Sequence, residues 1–161
     1  MNLNGKISDL STELRLLIGA FIIVLSVGFI SGLLFVRENS STYPDGIEQQ
    51  YLGNENDNEV EIMKFKKSDR EMLSLVHSHV LSMSMIFFLT GLILSLTKLN
   101  RPLKIFLMIE PFFTIMLTFG GIYFLWEGLT WMKYVVLFSG TLMTLTFVLT
   151  VLIILNQLIR K

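Results

Sequence analysis

Four apolar runs dominate the chain, each of roughly 20 residues or more, long enough as a helix to cross the hydrocarbon core of a bilayer. They fall near 15–36, 72–96, 103–126 and 132–158. Polar residues mark where the helices should begin. Ser68-Asp69-Arg70-Glu71 reads as a capping box ahead of the second run, with Ser68 as the cap and Glu71 reaching back. Asn100-Arg101-Pro102 opens the third with a capping amide and a proline suited to a first turn. Short connections make runs two, three and four an antiparallel up-down-up series. Trp126, Trp131 and Tyr134 cluster where runs three and four meet water, the interface that amphipathic rings favour. The pattern predicts an all-α integral membrane protein. Its four helices form a mostly up-and-down bundle, one transmembrane domain over residues 1–161.

The single extramembrane stretch of any length is 37–71. Within it, Tyr43-Pro44-Asp45-Gly46 reads as a reverse turn, because proline and glycine stand at useful turn positions. Residues 55–61 are acidic, and Lys64, Lys66, Lys67 and Arg70 follow. The stretch is too short for an independent domain. It is read either as a lid or docking surface, or as a solvated, partly ordered loop. The first apolar run is too long for the core of a secretory signal, and Arg37-Glu38-Asn39 is unlike a small-x-small cleavage site, so it is read as a retained helix.

Charge and composition narrow the chemistry. Acids and bases balance at 13 each, which points to no nucleic-acid partner. The chain has no cysteine, which excludes disulfides, thiolate metal sites, iron–sulfur clusters and covalent c-type haem. Nucleotide-binding motifs and a Ser-His-Asp constellation are absent from the sequence, so an enzyme is not expected. Lys6, Arg15, Lys98, Arg101, Lys104, Arg160 and Lys161 share one side of the four-span topology, and Arg37, Lys64, Lys66, Lys67, Arg70 and Lys133 the other. Short loops and the first tail weigh most in orientation, which places both termini in the cytoplasm, in a bacterial inner membrane, and 37–71 outside.

Ionisable groups at membrane depth are functional candidates by default. The only two histidines, His77 and His79, lie just inside the second run. At about 100° per residue they point about 160° apart, so one metal would not take both from a straight helix. His79 and Met83 have helical spacing and share a face, which makes them the cofactor-binding and metal-ligand pair. His77 is then a supporting or intersubunit ligand. Haem b, which accepts His or Met axially, is the first candidate and copper the second. The alternative is two histidines hydrogen-bonded to neighbouring spans.

Glu110, followed by Pro111, stands seven residues into the third apolar run, about 10 Å deep. It is read either as a proton-relay or cation-coordinating group, or as a protonated acid bonded to Thr114 or to another span beside a proline kink. Gly28 and Gly32 form a GxxxG motif for close helix packing in the first run. With the small size and the external loop, this suggests an accessory subunit, a homo-oligomer or part of a larger membrane complex.

The run Glu71-Met72-Leu73 through His77-Ser78-His79, with Tyr51-Leu52-Gly53 upstream and Glu110-Pro111-Phe112 downstream, resembles small uncharacterised bacterial four-helix inner-membrane proteins. That resemblance implies the fold and carries no activity. In architecture the chain is also similar to haem-bearing membrane anchors of respiratory enzymes, which would imply electron transfer. It departs from them in carrying both histidines on one helix. For the orientation, single cysteines at Asn54 or Asn58 should label from outside the cell, and one at Lys161 only after permeabilisation. The opposite labelling would invert the topology.

Overall fold

The computed structural model describes residues 7–40, 43–55 and 62–159. The acidic stretch beyond Glu55 and the bases Lys6, Arg160 and Lys161 lie outside the described residues. Five α-helices are described: α1 (Thr12–Ser40), α2 (Pro44–Leu52), α3 (Asp69–Ser95), α4 (Arg101–Trp126) and α5 (Met132–Ile159), with a short 3-10 turn at Ile7–Asp9. All but α2 are long and apolar enough to cross a membrane. The architecture is the expected four-helix membrane bundle, the bounds of each spanning helix falling close to those of its apolar run.

Both expected caps form. The Ser68 hydroxyl accepts from the Glu71 amide while the Glu71 carboxylate accepts from the Ser68 amide, which starts α3. The Asn100 carbonyl oxygen accepts from the Leu103 amide at 3.1 Å, and Pro102 sits in the first turn of α4. Lys104 donates to the carbonyls of Ser95 and Thr97, placing a cation at the C-terminal end of α3, where the helix dipole favours one.

The apolar core, which includes Phe87, Ile115, Phe119 and Phe147, also holds a set of polar side chains, while many large apolar side chains face outward. Thr90, Glu110, Thr114, Thr118, Ser139, Thr146 and Thr150 are buried, while Val24, Val27, Phe35, Phe113, Phe138 and Leu152 face outward. Hydrocarbon as solvent gives this arrangement: apolar side chains lose nothing outside, and hydroxyls need partners inside. At the α4–α5 seam, a Cβ added to Gly121 would meet Val136 Cγ2 at 3.0 Å, and one at Gly140 would touch Thr118 at 3.9 Å. The Thr118 and Ser139 hydroxyls bond across this seam at 2.7 Å.

α1 is attached more lightly. Ile22 is buried, Ile18, Leu25 and Phe29 pack beside the core, and Phe29 stacks on Phe147 of α5 with centroids 3.9 Å apart. Only 6% of its most apolar window is buried, against 50% in α4. Gly28 and Gly32 have nothing within 4 Å of an added Cβ, so no helix of this chain uses their close-approach surface. The end of the bundle opposite α2 is tied together by the Ile7 amide donating to Leu96, Arg15 to the Leu158 carbonyl, and Gln157 to Lys98.

The other end carries a folded layer. The expected turn at Tyr43-Pro44-Asp45-Gly46 is instead the start of α2: Tyr43 is the extended N-cap and Pro44 opens the helix. Proline's fixed φ suits a first helical turn as well as a reverse turn. Lys133 at the start of α5 then fixes α2 by pairing with Asp45 and Glu48 at 2.8 and 2.7 Å. Chain 62–68 returns as a strap across this layer. Lys67 donates its amide to the Tyr51 carbonyl, and the Lys64 amide donates to the Asn54 side chain. Trp126 donates its indole N–H to the Lys67 carbonyl at 2.8 Å, and Lys66 lies over the ring. Trp126 is therefore buried under the strap, whereas Trp131 and Tyr134 are exposed.

Burial pushes the Tyr51 phenol up to about 12. Its neutral form supports this layer below the ordinary value near 10, and that support is lost as pH rises through the shifted value. The strap closes on Gly53, whose φ is +82° and whose missing Cβ would lie 2.8 Å from the Lys64 carbonyl oxygen and the Lys66 nitrogen. Gly53→Ala should therefore cost about 1–3 kcal/mol of stability. The change should be visible in Trp126 fluorescence during unfolding, while Gly28→Ala should leave stability unchanged or slightly higher.

Candidate functional site

α3 lies at one side of the bundle and packs mainly on α4. His79 is exposed, and its ring tilts against Phe119 of α4 with centroids 5.0 Å apart. Nδ1 of His79 lies 2.9 Å from the Leu75 carbonyl oxygen. A carbonyl only accepts, so this bond puts the proton on Nδ1 and leaves Nε2 of the neutral ring with the free lone pair. Ligating histidines are commonly oriented by such a second bond. Met83 follows one turn later, half-buried against the core. His77 is exposed and projects from a different face of the same uninterrupted helix, as its spacing from His79 requires.

A shallow groove beside His79 is lined by Lys67, Arg70, Glu71, Ser74, Leu75 and Ser78. The Ser78 hydroxyl donates to the carbonyls of Ser74 and Leu75. It supplies no free donor at its own helix's expense. Among the described residues no group of three or more His, Cys, Asp or Glu side chains is placed to hold a metal. His79 and Met83, four residues apart on α3, share one face of that helix.

Glu110 is in a different place. The contact of His79 with Phe119 puts that histidine nine residues along α4 from Glu110, about 13 Å along the helix axis. The acid is 8% exposed, and neither carboxyl oxygen has a hydrogen-bond partner. The Thr114 hydroxyl donates instead to the backbone carbonyls of Pro111 and Glu110, at 3.1 and 3.4 Å. The brace expected between Thr114 and the carboxyl is not made. Sequence reasoning passed over Thr150, whose buried hydroxyl is also unpartnered. Ser139, Thr146 and Thr150 of α5 stand seven and four residues apart, a helical spacing that puts them on one buried face and is the signal that would have found it.

Four long apolar helices around a hydroxyl-lined interior define an integral membrane helical bundle. The chain belongs to a family of transmembrane helical domains, whose description matches residues 41–161. That match covers α2 to α5 and stops short of α1. No curated protein and no solved structure matches the chain.

Proposed function

We propose that this chain is a non-enzymatic membrane subunit with a histidine-based cofactor site at the α2-bearing end of α3, serving electron transfer. The observation that carries the reading is the bond from His79 Nδ1 to the Leu75 carbonyl, which leaves Nε2 available as a ligand one turn from Met83. The two cofactors make different demands. Imidazole and thioether on one face of one helix suit a single copper ion approached from that face. For haem b, His79 would be this chain's ligand, alone or together with a residue of another chain. The exposure of both histidines leaves room for that second chain, with His77 available to it. When bound, either group would supply one-electron chemistry. This chain's own part is to fix the imidazole tautomer and to present the ligand at the edge of the bundle.

The second reading is an accessory subunit that acts by contact. It is favoured by α1, which lies outside the family match, buries little of its surface and carries Gly28 and Gly32 unfilled. One preparation addresses both. Protein expressed with haem and copper supplied, and extracted gently, should show either a redox-sensitive Soret band or stoichiometric copper. His79→Ala should remove that signal while leaving helicity intact. No band and no metal would sink the cofactor reading, and a lone monomer without companions would count against the accessory one.

A further inference from the structure

Three of the buried side-chain atoms without a partner among the described residues are oxygens, and they belong to two residues: both carboxyl oxygens of Glu110 and the hydroxyl of Thr150. Helix register puts these residues at neighbouring levels of α4 and α5. The register set by Thr118 against Ser139 and by Gly121 against Val136, carried along the antiparallel helices, brings Glu110 to the level of Phe147, between Thr146 and Thr150. A direct bond from the Thr150 hydroxyl to the carboxylate would have satisfied both groups, and it is not made. Two other buried hydroxyls are occupied by their own helices: Thr90 donates to the Ile86 carbonyl at 2.9 Å, and Thr114 to the Pro111 carbonyl at 3.1 Å. Pro111 adds another oxygen. Having no N–H, it cannot bond the carbonyl of Leu107, one turn earlier on the same buried face toward which a helical Glu110 side chain leans.

Unpartnered oxygens at the level of one buried carboxylate in a low-dielectric interior can be satisfied by a positive charge. We propose that Glu110, Thr150 and the Leu107 carbonyl form an intramembrane site for a monovalent alkali cation. The charge follows from the residues. Both ion pairs among the described residues belong to Lys133, so no basic side chain neutralises Glu110. One carboxylate balances one positive charge. A divalent ion would retain an uncompensated charge in hydrocarbon and would require more carboxylates than this level of the bundle offers. Hard oxygen donors match an alkali ion and do not suit the softer metals considered for His79 and Met83. The two sites are independent, separated along α4 and different in chemistry.

The test uses the full purified chain in detergent, unfolded thermally in choline chloride or in sodium, lithium or potassium chloride at equal ionic strength. A bound ion stabilises the folded state by mass action. At least one alkali chloride should raise the unfolding midpoint in a saturable way over choline. Glu110→Gln should abolish the increment while keeping the midpoint found in choline, and Thr150→Val should shift the half-saturating concentration several-fold upward. Carbodiimide modification of wild-type Glu110, mapped by mass spectrometry, gives a readout that needs no variant. The reagent attacks a protonated carboxyl, so the same alkali ion should slow the labelling. Equal midpoints in all four salts, retention of the increment in Glu110→Gln, or labelling indifferent to cations would overturn the site in favour of a protonated, water-bridged acid.

Discussion

Hydrocarbon gives apolar helices little reason to associate, so the close approach of α4 and α5 at Gly121 is the contact around which this bundle is organised. Because Gly121 has no side chain, Val136 comes within van der Waals reach of the α4 backbone, and the Thr118 and Ser139 hydroxyls come close enough to bond. Ser139 directs its own proton to the Val135 carbonyl at 2.7 Å, so Thr118 is the donor across the seam. α3 packs mainly on α4, and α1 reaches α5 where Phe29 stacks on Phe147, a ring that Phe87 of α3 also meets edge-on. The strap and α2 rest on its end through Trp126 and Lys133.

The seam also explains how the bundle holds a carboxyl in its interior. Lining the contact with threonine, serine and glycine leaves polar groups inside a membrane, each of which needs a partner. Thr114 and Ser139 find one on their own helices, while Glu110 and Thr150 do not. The histidines solve a different problem. His79 sits on the outer flank of α3, where its tautomer is set by Leu75 and its ring is supported by Phe119. The bundle thus carries an unpartnered carboxyl in its interior and an exposed imidazole on α3.

Much of this was legible in the sequence. Run length located the spanning helices to within a few residues, and Ser68, Glu71 and Asn100 announced helix starts through side-chain chemistry that acts locally. Pro44 was ambiguous, because the same fixed φ opens a turn or a helix; the choice fell to Lys133, distant in sequence and paired with Asp45 and Glu48. The folded strap was hidden for a similar reason, since it rests on Gly53 and Trp126 meeting residues 62–68. Small-residue motifs gave positions without partners. Gly121 and Gly140 are used within the chain, whereas Gly28 and Gly32 are not. For Glu110, depth followed from counting residues, but the absence of a bond from Thr114 depended on where one hydroxyl turns.

A double-mutant cycle across Thr118 and Ser139 measures how far the α4–α5 seam holds the bundle. Unfolding free energies of Thr118→Val, Ser139→Ala and the combined variant should reveal a coupling of about 0.5–1.5 kcal/mol, the range of interhelical hydrogen bonds in membranes. Strictly additive effects of the two substitutions would contradict the account, because the hydroxyls would then be contributing separately and the seam would owe nothing to their bond.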